Sequence, residues 1–164
     1  MVEASATGSS WKRDAKGLAI AFLACFATAG AGALFTNQGL IEWYPGLRKP
    51  SWNPPNQVFG PVWTFLYASM AVAAWRVWRK GSNLGGLRLF AAQLLLNFAW
   101  SALFFGLRLP GAALVEIVLL WCAIAATILS FRKVDGLAAL LLVPYLAWVT
   151  FAAALNGAIW RLNR

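Results

Sequence analysis

Inside apolar stretches of this chain, aromatic and amide side chains recur at helical intervals. Phe59, Trp63 and Tyr67 stand four residues apart, and Gln93 and Asn97 do the same, with Trp100 and Phe104 continuing their stripe. Tyr145, Trp148 and Ala152 follow directly after Pro144. On a helix each set shares a face. Flat aromatic faces with a few amides suit a pocket for a flat, mostly apolar ligand, and porphyrins and sterols have that shape. The aromatic stock is large, at 10 Trp, 11 Phe and 3 Tyr. The amides also have a purely structural use, since interhelical hydrogen bonds contribute roughly 0.6–2 kcal/mol each. Trp63, Trp100, Trp121 and Trp148 fall within apolar stretches, where an indole N–H needs a partner, and each also fits a packing role.

What the chain lacks removes most enzyme chemistries. It has no histidine, so Ser-His-Asp and Cys-His catalysis and His-ligated haem or zinc are excluded. No glycine-rich phosphate loop ending in Gly-Lys-Ser/Thr occurs. Glu116 is the only carboxylate well inside an apolar stretch, so no carboxylate pair marks a site. Cys25 and Cys122 lie deep in apolar stretches and read as small hydrophobes, not as a disulfide framework. No metal site is expected and no cofactor is required. A tetrapyrrole would find only Tyr, Met or Cys as axial ligands. Stacking and van der Waals contact would hold it as a ligand, with cations such as Arg48 or Lys49 meeting its propionates.

The elements that must hold these faces are membrane helices. Of 164 residues, 61% are apolar and 12% charged, and mean hydropathy is +0.66. An ordinary globular domain is about 25% charged. A membrane-crossing helix needs ~20 apolar residues, and five such runs are present, over 18–40, 58–78, 87–107, 110–131 and 136–160. The fold class is therefore all-α: an integral membrane bundle of five transmembrane helices in a single domain over 1–164, with 1–11 a mobile N-terminus. Short connections make neighbouring helices antiparallel. The exception is the Trp- and Pro-rich loop from Ile41 to Pro55.

Lys12, Arg13 and Lys16 precede a run that reaches Ala27-Thr28-Ala29, which resembles a signal peptide and its cleavage site. The run continues to Leu40, and that length favours a retained first helix. Trp11, Trp43, Trp75, Trp78 and Trp160 lie near span ends, where the aromatic belt favours them.

The formal charge is +9. Nine cations (Lys12, Arg13, Lys16, Arg76, Arg79, Lys80, Arg88, Arg132 and Lys133) fall on the amino-terminal side, against five (Arg48, Lys49, Arg108, Arg161 and Arg164) opposite. In a bacterial inner membrane this bias places the amino terminus in the cytoplasm. Short cationic clusters between apolar runs suit membrane lipid headgroups and do not point to nucleic acid.

The loop Trp43-Tyr44-Pro45-Gly46-Leu47-Arg48-Lys49-Pro50-Ser51-Trp52-Asn53-Pro54-Pro55, followed by Val58-Phe59-Gly60-Pro61-Val62-Trp63-Thr64, resembles the signature of the TspO/MBR family. These are the tryptophan-rich sensory proteins and translocator proteins, once called peripheral-type benzodiazepine receptors. The resemblance extends to Asn97, to Val143-Pro144-Tyr145-Leu146-Ala147-Trp148 and to Leu155-Asn156-Gly157-Ala158-Ile159-Trp160-Arg161.

It implies a five-helix bundle, often a homodimer, in a bacterial cell envelope or a mitochondrial outer membrane. It further implies porphyrin, haem, cholesterol and benzodiazepine-site ligands. Carried over by motif, the ligand-binding residues are Trp52, Phe59, Trp63, Tyr67, Asn97, Trp100, Tyr145 and Trp148. Some members of the family degrade protoporphyrin IX in light, and Trp63 and Trp148 match the positions implicated as catalytic. The family's sterol-recognition stretch has a Tyr between an apolar and a basic residue, where this chain has Gly157 between Leu155 and Arg161.

The expected function is tetrapyrrole binding in sensing, transport or turnover. The rivals are a light- and oxygen-dependent porphyrin-degrading enzyme and a structural bundle whose aromatics only pack. Two finer expectations concern the loop and the oligomer. Trp52 should fold over the ligand and close the pocket, and Ala102 with Gly106 forms a small-xxx-small pair suited to dimerisation.

Overall fold

The computed structural model describes the backbone of residues 3–81 and 83–164, and the side chains of residues 11–81 and 83–164. Among these, every regular element is helical. Helix α1 (Glu3–Glu42) leads through 3-10 turns at Tyr44–Gly46 and Asn56–Val58 into α2 (Phe59–Arg79). Helix α3 (Leu84–Ser101) ends in a π turn (Ala102–Gly106), and α4 (Pro110–Arg132), α5 (Gly136–Leu141) and α6 (Val143–Leu162) follow. Five segments are long and apolar enough to cross a membrane: Trp11–Glu42, Asn56–Arg79, Leu84–Gly106, Pro110–Arg132 and Gly136–Leu162. The chain is a multi-pass integral membrane protein, in which helices satisfy the backbone that lipid cannot.

The mobile segment expected over residues 1–11 concerns residues 1–2 and the side chains before Trp11, which lie outside those described. The backbone of α1 is helical from Glu3 and continues unbroken through Ala27–Ala29 to Glu42.

The segments close into a ring. Helix α1 lies against α2 and α3, α3 against α4, α4 against α5 and α6, and α5 back against α2. Met70, Ala71, Ile117, Ile124, Tyr145 and Val149 fill its middle. Polar ties gather at the two ends, as the cation count requires. At one end Arg79 pairs with Asp14 at 3.1 Å, and Arg76 and Lys80 pair with Asp135 at 3.0 and 3.1 Å. At the other, Arg108 pairs with Glu42 at 2.8 Å, and Asn163 exchanges two 2.9 Å hydrogen bonds with the backbone of Arg48.

Two local departures matter for the site. The fifth span is not one helix: it breaks at Leu142 into α5 and α6, with Pro144 in the first turn of α6. Proline has no N–H to donate and its ring crowds the carbonyl four residues back. The Leu141 carbonyl beside the break accepts the Ser69 hydroxyl from α2 at 2.6 Å. Asp135 caps the start of α5, accepting from Leu137 and Ala138 N–H at 2.9 and 3.1 Å.

The third span closes on a wider turn, with Leu107 N–H donating to Ala102 O at 2.7 Å and Arg108 at φ 58°. There α1 and the turn interlock. A Cβ on Gly106 would lie 2.7 Å from the Phe35 ring, and one on Gly39 would lie 2.7 Å from Phe105. The smallness of Gly106 therefore serves packing within the chain, where the sequence spacing with Ala102 suggested a dimer contact.

Candidate functional site

A cavity of about 500 Å³ lies between α1, α2, α3 and α6. Its aromatic walls come from the faces expected: Phe59, Trp63 and Tyr67 from α2, Trp100 from α3, and Trp148 from α6. Asn97 and Ala152 also reach it. The indole of Trp63 lies 5.5 Å from the Tyr67 ring and 6.2 Å from the Tyr145 ring, centroid to centroid. Phe59 meets Trp148 edge-on at 5.9 Å. Trp63 and Trp148 thus border one cavity, as their helical faces require.

Behind these walls runs a polar chain. The Tyr67 hydroxyl donates to Asn97 Oδ1 at 2.5 Å, Asn97 Nδ2 donates to the Tyr145 hydroxyl at 2.9 Å, and that hydroxyl donates to Gln93 Oε1 at 2.9 Å. Three spans are joined in this way, and all four side chains are buried. Buried polar groups need such partners, because leaving one unpaired costs its full desolvation penalty. The structural use of Gln93 and Asn97 is therefore realised. Asn97 also contributes to the cavity wall, whereas Gln93 and Tyr145 lie behind it.

The tryptophans within spans divide by the fate of the indole N–H. Trp100 donates to Asn156 Oδ1 at 3.1 Å, and Asn156 in turn donates to the Pro110 carbonyl at 2.7 Å. Trp121 donates to Thr150 Oγ1 at 2.8 Å and takes no part in the cavity. Trp63 and Trp148 line the cavity and find no protein acceptor among the described residues.

Four groups singled out in the sequence stand off the wall of this cavity. Trp52 does not line the cavity; it is 49% exposed and rests edge-on against Phe151 at 5.8 Å, one ring away from Trp148. The loop holds its own shape: the Tyr44 hydroxyl donates to Asn53 Oδ1 at 2.6 Å, and Pro residues limit its backbone. Burial pushes the Tyr44 hydroxyl above its ordinary pKa. Tyr145 acts behind the wall and not as a lining group. Lys49 is engaged within the loop, donating to the Leu47 carbonyl at 3.0 Å and lying 4.9 Å from the Tyr44 ring centre, and neither it nor Arg48 lines the cavity. Phe104 stacks on Trp100 at 5.2 Å, but the π turn shifts the register, so Phe105 reaches the main cavity instead.

Sequence reasoning missed two groups. Helix α1 supplies a whole wall through Phe26, Ala29, Gly32, Ala33, Thr36 and Leu40. Apolar residues surround this helix on all sides, so no periodic stripe marks the facing side; the run of small residues was the available signal. Asn37, Asn56 and Gln57 line the cavity as well. On α4, Glu116 is buried with neither carboxyl oxygen paired among the described residues, and it lies outside the cavity lining.

Comparison with known proteins agrees with this architecture. The model of the TspO/MBR family matches residues 20–161. A tryptophan-rich protein TspO from Chlorobaculum tepidum is 49% identical over 150 residues, covering 89% of this chain and 95% of the relative. The translocator protein of Homo sapiens is 44% identical, with 86% and 84% covered. The tryptophan-rich sensory protein of Cereibacter sphaeroides is 43% identical, with 89% and 91% covered. With the match spanning all five membrane segments, the chain belongs to the TspO/MBR family.

Proposed function

We propose that this chain binds tetrapyrroles such as protoporphyrin IX or haem in the cavity, in their sensing, transport or turnover. The observation that carries this reading is the convergence of Trp63, Trp100 and Trp148, from three spans, on one cavity of about 500 Å³. That volume falls within the range of small-molecule sites. The relatives named for translocation and for sensing support the same reading. The test is a tryptophan-fluorescence titration of the protein in detergent with protoporphyrin IX, haem and cholesterol. Saturable quenching by the tetrapyrroles is expected. Its absence would return the aromatics to packing alone.

Light-driven oxidation of bound porphyrin, with dioxygen as oxidant, is the second reading. It is favoured by Trp63 and Trp148 lining one cavity with indole N–H groups that no described residue accepts. Phenylalanine keeps an apolar face but is much harder to oxidise. Trp63→Phe and Trp148→Phe should keep porphyrin affinity within about tenfold, or ~1.4 kcal/mol, while slowing bleaching under illumination. Parental bleaching rates in both variants would remove the enzymatic reading and leave the binding one.

A further inference from the structure

The cavity is chemically one-sided. Its inner part is bounded by Phe26, Tyr67 and Asn97, whose polar atoms are committed to the interhelical chain. The other end lies where α1 finishes and α2 begins, and there Asn37, Asn56 and Gln57 line it. These three amides are exposed, and no described residue hydrogen-bonds their side chains. Of the neighbouring hydroxyls, Thr36 donates to Gly32 O at 3.0 Å and Thr64 to Gly60 O at 2.9 Å, while Ser101 stands on α3 beside Gly32 of α1. Among the described residues, no Asp, Glu, Lys or Arg lines the cavity. The loop cations that a propionate would be expected to meet are turned to other uses or stand away from it.

We propose that Asn37, Asn56 and Gln57 form the polar end of the site, donating amide N–H groups to carboxyl oxygens on one edge of a flat ligand without supplying charge. This rests on the tetrapyrrole reading and adds the orientation and the chemistry of recognition. The ring body enters between Trp63, Trp100 and Trp148, and the oxygen-bearing edge stays at the mouth. An amide N–H donates to a carbonyl oxygen whether the group is an ionised acid or an ester. Any donor bonds an ionised carboxylate more strongly than an ester. These exposed amides, however, only replace bonds that water gives the free carboxylate, whereas a guanidinium or ammonium would add a net charge favouring the anion. The site should therefore be nearly blind to esterification of the acid edge.

The experiment titrates the full chain in detergent with protoporphyrin IX and with its dimethyl ester, reading tryptophan quenching. Parental protein should bind both with Kd values within about threefold of each other. The triple variant Asn37→Leu, Asn56→Leu, Gln57→Leu keeps the stacking walls and should lose about tenfold for both ligands. Because all three residues are exposed, circular dichroism should show the variant folded, and single Leu variants give intermediate losses if it is not. Arg48→Ala should leave both affinities within about twofold. A tenfold preference for the acid over the ester, a loss confined to Arg48→Ala, or unchanged binding by the triple variant would overturn the proposal while leaving the tetrapyrrole reading intact. Failure of the parental protein to quench with either ligand would overturn both.

Discussion

Asn97 accepts the Tyr67 hydroxyl on one side of its amide and donates to Tyr145 from the other. One amide on α3 thus fixes a hydroxyl on α2 and another on α6 behind the aromatic wall. Tyr67→Phe deletes the first bond alone and should cost about 0.6 kcal/mol, the average for interhelical bonds in membranes. Asn97→Ala deletes both and should cost up to about 2 kcal/mol. Thermal unfolding in detergent checks the ranking, and equal effects of the two changes would show that Asn97 does not act as a bridge.

Trp52 reaches the cavity only through intermediaries, since Phe151 stands between it and Trp148 at ring separations of 5.8 and 5.5 Å. Trp148→Ala removes a wall and should weaken porphyrin binding about tenfold, while Trp52→Ala should weaken it about threefold. Trp11→Ala, far along α1, should have the smallest effect of the three. The same quenching titration reads all of them, and a loss at Trp52 exceeding that at Trp148 would restore the loop as a direct lid.

Asp135 gives the bundle a pH signature. Burial opposes its ionisation, but the Ala138 N–H, Lys80 and Arg76 outweigh that cost and hold the carboxyl at about 2, below its ordinary 3.8. The folded chain therefore takes up this proton less readily than the unfolded one. Its stabilisation is complete above the unfolded value and is lost as pH falls from about 4 toward about 2. Asp135→Asn should unfold at a lower temperature than the parent at pH 7, with the gap closing across that acid window. A gap that stays constant over it would assign the effect to the cap geometry alone.

Gly106 has Phe35 where a side chain would stand. Gly106→Leu should destabilise the fold by about 1–3 kcal/mol, the usual cost of overpacking. The detergent-solubilised mass by light scattering should not change. A shift from dimer to monomer with an unchanged unfolding midpoint would return Gly106 to an interface between copies.

Helical spacing made much of the site legible, because Phe59, Trp63 and Tyr67, and likewise Asn97 and Trp100, project from single faces of regular helices. It failed at Phe104, where the π turn adds a residue and brings Phe105 round instead. Span number and approximate limits follow from apolar length, and the break at Leu142 had its signal in Pro144. The contribution of α1 was hidden for a physical reason. A helix apolar on every side carries no contrast between the face toward lipid and the face toward a cavity. Gln93 and Asn97 were read correctly as costly intramembrane amides, but only the partners show that bonding between helices comes first and cavity lining second. The three amides at the mouth escaped because Asn37, Asn56 and Gln57 sit at the junction of span and loop, where polar residues attract no notice.

The polar chain behind the cavity also bears on how the protein is made. Its central hydroxyl, that of Tyr145, lies in the fifth membrane segment, which leaves the ribosome after the third. Gln93 and Asn97 are synthesised far earlier and, until that segment docks, enter the bilayer without the group that Asn97 donates to and Gln93 accepts from. In hydrocarbon such unpaired groups are costly. Packing of the third segment is thereby coupled to arrival of the fifth, and a nascent chain that has not yet made the fifth carries an unpaired polar seam at Gln93 and Asn97.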